Sequence, residues 1–178
     1  ISSTLGQKDT EKASVLFAQS IIVALLITCV ITFVGIASIK DILIILKSNN
    51  QIISYATEYM NIIFSGSIVI FLLVTINASL VSRGDTKSYR NVLIFSFFLN
   101  IFLNPLFIYG FYLIPAMGIS GIALATIVSE LIGLIYLIYK INKTEIREYL
   151  SPECFKPKIT LISDILKQAV PSGLSMGM

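Results

Sequence analysis

Residues 91–139, "NVLIFSFFLNIFLNPLFIYGFYLIPAMGISGIALATIVSELIGLIYLIY", run for forty-nine positions without a Lys or Arg, and Glu130 is the one acid among them. A bilayer core of ~30 Å is crossed by about 20 helical residues, so this run is long enough for two crossings. The segment "GFYLIPAMG" at 110–118 divides it, because Gly110, Pro115 and Gly118 are turn formers. Two helices are predicted there, near 91–111 and 118–139. Working outward, the uncharged runs 13–39 and 59–82 supply one span each. The composition agrees: 56% apolar and 13% charged residues depart from the ~25% charge of a soluble domain. The fold class is therefore an all-α polytopic membrane protein with four spans.

The loops carry the orientation. Lys8, Lys12, Arg83, Lys87, Arg90, Lys140, Lys143, Arg147, Lys156, Lys158 and Lys167 fall on one side of these spans, and Lys40 and Lys47 on the other. The positive-inside rule then places residues 1–12, 83–90 and 140–168 in the cytoplasm, with the 40–58 and 111–117 loops outside. All eight Tyr lie near span ends or in the last cytoplasmic segment, as interfacial anchoring predicts. The cations sit beside spans and form no surface stripe, so the net charge of +3 is no nucleic-acid signal.

Residues 141–168 read as an amphipathic linker on the membrane surface, with Ile159, Ile162 and Leu166 on one helical face. A solvated basic loop is the alternative. Residues 169–178, "AVPSGLSMGM", read as the opening of a further apolar helix, with Pro171 in its first turn. The chain is expected to be an internal piece of a longer protein.

Several patterns carry no chemistry. Cys29 lies within a span and Cys154 in a polar segment, too far apart in depth to bridge. "GLSMG" at 173–177 matches a hydrolase elbow, but the chain has no His to complete a triad. No metal-thiolate or phosphate-loop pattern occurs, so no cofactor and no enzymatic activity are expected. The lack of His also excludes a histidine proton relay within this chain.

The polar residues inside the spans are the candidate site. Asn100 and Asn104 stand one helical turn apart, and Pro105 lacks the N–H that would bond the carbonyl of Ile101. An oxygen-rich patch results, suited to a dehydrated Na⁺ or a proton-linked network where a helix borders a cavity. In the next helix Gly121, Ala125, Ser129 and Gly133 form a small-residue seam, and Thr126 and Glu130 form a polar stripe beside it. Counting depth symmetrically from the turn sets Thr126 level with Asn104, and Glu130 level with Asn100. Glu130 is the lone ionisable residue in the four predicted spans, where a carboxylate is costly enough to mark function or a water-lined setting. Packing by interhelical hydrogen bonds is the structural alternative for these groups.

In order, "INASLVSRGDTKSYRN", "LNIFLNPLFIYG" and "MGISGIALATIVSE" carry an Asn before an R-x-G-D-T turn, an N-x-x-x-[DN]-P segment and a G-I-x-G-x-A-x-A-T helix entry. These blocks resemble the multidrug and toxic compound extrusion transporters. The resemblance implies a twelve-helix fold in two lobes, of which this chain supplies helices three to six of the amino-terminal lobe (1–140), the linker (141–168) and the start of helix seven (169–178). It implies a plasma-membrane antiporter, coupled to Na⁺ or H⁺, that exports amphipathic, mostly cationic small molecules by alternating access. Its partners would be those substrates, membrane lipid and the remainder of the same chain. The family's cation ligands would correspond to Asn77, Asn100, Asn104 and Thr126, with possible Na⁺ at the last three. Asn104 stands where some relatives carry Asp, which lowers the local charge, and Glu130 is expected to compensate. A lipid-linked oligosaccharide flippase of the same superfamily is the alternative, but its cavity calls for Arg or Lys inside the spans.

Overall fold

The computed structural model describes residues 10–45 and 49–176. Four long helices, α1 (Thr10–Ile45), α2 (Asn50–Val81), α3 (Lys87–Tyr109) and α4 (Ile119–Ile141), are each long and apolar enough to cross a membrane. All four predicted spans are present, but α1 and α2 overrun their uncharged runs, reaching 36 and 32 residues. Charge limits how deep a residue can sit in lipid, not whether it is helical. Lys40 and Asp41 accordingly continue α1 beyond the predicted end at 39.

Spatial order differs from chain order: α2 packs on α1 and α4, while α3 packs on α4. The small-residue seam explains why. Gly121 and Gly133 are buried; a Cβ on Gly121 would lie 2.7 Å from the Phe107 carbonyl carbon and oxygen, and one on Gly133 would lie 2.5 Å from Val92 Cγ1. Between them the Ser96 hydroxyl donates to the Ser129 carbonyl at 3.3 Å. Backbones this close gain dispersion contacts, which drive helix association where lipid removes the hydrophobic difference. The adjoining side of α4 receives α2, with Gly66 against Ile127 and Leu73 also at Gly133. On α2's far side the Thr32 hydroxyl of α1 lies 2.8 Å from the Phe64 carbonyl and 2.9 Å from Ser67 Oγ.

The buried cluster of Phe17, Leu73, Ile76, Leu80, Val92, Leu134, Leu137, Ile141 and Ile146 closes the end of the bundle that carries the basic loops. There Asp85 caps α3: its Oδ1 accepts the Ser88 N–H at 3.0 Å and its Oδ2 the Ser88 hydroxyl at 2.6 Å. The Ser88 hydroxyl, then the Ser88 N–H, hold the Asp85 carboxyl below its ordinary value of 3.8. At the other end Gly110 turns the chain with φ 76°, where a Cβ would lie 2.7 Å from Ala116 N. The connection then folds back on α3, Met117 N–H bonding the Phe107 carbonyl at 2.9 Å and Gly118 N–H the Ile108 carbonyl at 3.2 Å.

After α4 come a four-residue helix α5 (Ile146–Tyr149), a 3₁₀ turn (Pro152–Phe155) and α6 (Ile159–Met176). This linker is fastened to α1. The Gln19 amide, fully buried, donates to the carbonyls of Cys154 (2.8 Å) and Lys156 (2.9 Å) and accepts the Lys158 N–H (2.9 Å). Ser14 adds a bond to the Ile146 carbonyl at 3.1 Å. No helix break separates the expected linker from the expected helix start at 169, because α6 runs unbroken through Pro171. Residues 1–9 and 177–178 of the expected amino-terminal turn and closing helix lie outside the described residues. Cys29 and Cys154 are both free.

Two outcomes follow from this packing. Gly121→Ala forces α3 off α4 and lowers resistance to unfolding in detergent by about 1–3 kcal/mol, the range for overpacking a tight contact. Because the folded Asp85 carboxyl titrates below its unfolded value, its contribution is complete above pH 3.8 and is lost as pH falls through the lower folded value. An Asp85→Asn variant is therefore expected to unfold with a shallower acid limb than the parent, measured by helicity against pH.

Candidate functional site

Helical geometry places the predicted polar residues relative to the α3–α4 contact line. Val92, Ser96 and Phe107 of α3 meet α4. At 100° per residue, Asn100 and Asn104 fall on one flank of that line and Asn91 and Phe95 on the other, with Lys87 nearly opposite the contact. Asn91 and Phe95 share a groove with Ile132 and Tyr136 of α4, which identifies the second flank on both helices. Thr126 lies on the first. The hairpin therefore brings Asn100, Asn104 and Thr126 to a common flank, and Glu130 follows Thr126 one turn along the same stripe.

Their depths differ from the symmetric count. Ser96 meets Ser129 and Phe107 meets Gly121, so Asn100 lies level with Thr126, Asn104 with Ala123, and Glu130 about one turn farther toward the basic loops than Asn100. The cause is the connection, which folds back on α3 and pins Met117 to Phe107, breaking the symmetry about the turn. Asn77 is not brought to the group. Leu73 packs at Gly133 in a parallel α2–α4 pair, so Asn77 sits level with Leu137, some eleven residues or roughly 16 Å from Thr126 along the axis.

The hydrogen bonds leave oxygens free. Asn104 Nδ2 donates to Asn100 Oδ1 at 2.7 Å, and the Thr126 hydroxyl donates to the Ile122 carbonyl at 3.1 Å. Asn104 Oδ1 is buried and has no partner, as is Asn77 Oδ1 on α2. An amide oxygen accepts and cannot donate, so what it lacks is a proton donor or a cation. Glu130 is half-buried and makes no ion pair among the described residues. The free amide oxygen, the Thr126 hydroxyl and the Ile101 carbonyl released by Pro105 are all hard oxygen donors. Neither of the grooves lined by Asn91–Tyr136 and Thr28–Ile68 includes these residues; Asn100, Asn104, Thr126 and Glu130 are half-buried, on the side of the α3–α4 contact where α2 packs at Ile127 and Gly133.

Sequence reading missed three features. Gln19 reads as one more polar residue in a span, and its three backbone partners lie 135 to 139 positions away. Thr57 and Asn61, one turn apart on α2, also carry buried oxygens without partners. Their spacing repeats that of Asn100 and Asn104 and was visible in the sequence. Arg83 is the third: it reaches Glu145 at 3.7 Å while its Nη1 stays buried and unpartnered.

Comparison with known proteins gives one answer at each level. The MatE family model matches residues 1–106. The protein named "Probable multidrug resistance protein NorM" of Thermotoga maritima is 31% identical over 179 residues, covering 98% of this chain and 37% of that one. The FAD transporter of Shewanella oneidensis is 26% identical over 130 residues, 73% of this chain and 29% of its own. Among solved structures, an inward-facing multidrug resistance MATE family transporter of the MOP superfamily aligns with TM-score 0.84 and 25% identity over 98% of this chain and 39% of that one. An outward-facing one aligns with TM-score 0.81 and 26% identity, over 98% and 38%. The chain thus spans about two fifths of the length of the relatives it matches.

The Asn100–Asn104 bond is testable by a double-mutant cycle. Replacing each with Ala and both together should give a coupling of about 0.2–0.5 kcal/mol in unfolding free energy, the range for i, i+4 side-chain pairs on one helix; zero coupling would mean that the two amides do not bond.

Proposed function

The chain belongs to the MatE family of multidrug transporters, and from that premise we propose that the Asn100, Asn104 and Thr126 flank is the cation-coupling wall of an exporter of amphipathic, mostly cationic small molecules. The observation that carries the reading is the buried, partnerless Asn104 Oδ1 beside Asn100 and level within one turn of Thr126. In hydrocarbon such an atom costs several kcal/mol, so its persistence fits a neighbour that supplies water or a cation. Na⁺ or H⁺ binding there would favour one of two conformations, and substrate the other, which is how coupling arises in alternating access.

Glu130 supplies the charge that Asn104 lacks. One turn from Asn100 and on the Thr126 stripe, its carboxylate would lower the energy of a cation at the amide oxygens, or itself carry the proton. The excess of Lys and Arg in 83–90 and 140–168 supports a cytoplasmic position for that end of the bundle, with the 111–117 turn outside. The similar alignments to inward- and outward-facing neighbours, at TM-scores of 0.84 and 0.81, support a mechanism in which these four helices move largely as one body.

The test is transport of a fluorescent cationic substrate in vesicles bearing the full-length protein, under imposed Na⁺ or pH gradients. Asn104→Ala is expected to weaken apparent ion affinity about ten-fold, equivalent to ~1.4 kcal/mol, and Glu130→Gln to alter the Na⁺ or pH dependence. An unchanged dependence in Glu130→Gln removes that residue from the coupling site.

A further inference from the structure

The other flank of the α3–α4 contact carries a different feature. Asn91, Val92, Phe95, Ile132, Gly133 and Tyr136 line a groove of about 390 Å³, within the ~300–1,000 Å³ range of ligand clefts. Its composition changes along its length. Phe95 and Ile132 make the membrane-deep part apolar, and Val92 packed on Gly133 forms its floor. Toward the basic loops come Asn91 and Tyr136, then, at the next i, i+4 step on each helix, Lys87 and Lys140. Lys140 Nζ lies 5.6 Å from the Tyr136 ring centre, which places its ammonium over the groove's mouth.

We propose that this groove binds an anionic glycerophospholipid of the leaflet on the side of the basic loops, with an acyl chain along Phe95 and Ile132 and the phosphate at Lys140, which Lys87 reaches with its long side chain from the outer face of α3. Charge complementarity favours that occupant over a helix. An apolar helix would fill the deep half but leave the excess positive charge of the mouth unmatched, whereas a phospholipid offers both halves in the right order along the membrane normal. Asp85 keeps its charge while bonded to Ser88 and offsets part of the charge of Lys140, and Glu145 is engaged by Arg83, so two lysines against one carboxylate leave the mouth net positive. Basic pockets between membrane helices on the cytoplasmic side bind acidic headgroups for this reason. The inference goes beyond the transport reading and does not depend on the coupling residues.

The experiment places a photoreactive p-benzoylphenylalanine at position 95 of the full-length transporter in nanodiscs of equimolar phosphatidylglycerol and phosphatidylcholine. Capture of phosphatidylglycerol about five-fold or more over phosphatidylcholine is expected, the preference that a single lysine near an anionic headgroup provides. Lys87→Gln with Lys140→Gln should bring the two lipids to parity. A smaller preference, an unchanged preference in the double variant, or crosslinking to the polypeptide itself overturns the proposal. Native mass spectrometry of the unsubstituted protein from the same lipid mixture supplies an independent readout: phosphatidylglycerol retained above phosphatidylcholine supports the site, and equal retention overturns it.

Discussion

The close approach of α3 to α4 along Gly121, Ala125, Ser129 and Gly133 is the interaction on which the rest of the molecule depends. In lipid no solvent difference pushes apolar faces together, so contact has to come from backbones that can touch. Four small residues at four-residue spacing provide it on one side of α4, while Gly66 against Ile127 provides it on the adjoining side. Helix α4 becomes the centre of the bundle, and α3 is held by α4 rather than by α2, its neighbour in the chain. Both flanks of the α3–α4 contact then acquire their character from what stands beside the seam: amide and hydroxyl oxygens on one, a groove graded from apolar to cationic on the other.

The same closeness limits where polar groups can find partners. Ser96, Ser129 and Thr126 satisfy their hydroxyls on helix carbonyls, and Asn100 accepts from Asn104. One amide of the pair is left with its oxygen unpaired, because each Asn brings both donor and acceptor and a single bond uses one of each. The proposed coupling role draws on such an excess of acceptors at a place that water reaches in one state and not in the other.

Much of this architecture is legible in the residues. Uncharged runs locate the four crossings, because burying charge in hydrocarbon is the dominant penalty, and the turn at Gly110 is required by a positive φ. The seam and the shared flank of Asn100, Asn104 and Thr126 follow from a 3.6-residue period. Depth across the hairpin does not, since the turn's return onto Phe107 and Ile108 shifts the register by about one helical turn. Long-range anchoring is equally hidden: nothing around Gln19 foretells that its amide will hold residues 154–158. Nor does periodicity predict that α6 continues through Pro171, where one lost backbone bond does not end the helix.

The central claim is that the Asn104 oxygen borders a chamber that opens alternately to water on the two sides of the membrane. Thiol accessibility tests it most directly, using Asn104→Cys in the full-length protein with Cys29 and Cys154 replaced by Ser. The account predicts that a membrane-impermeant reagent labels position 104 from one face, and that saturating Na⁺ or substrate shifts the labelling toward the other. A thiol that stays unreactive from both faces under every condition would contradict it, and would leave the two asparagines as packing groups in a dry interface.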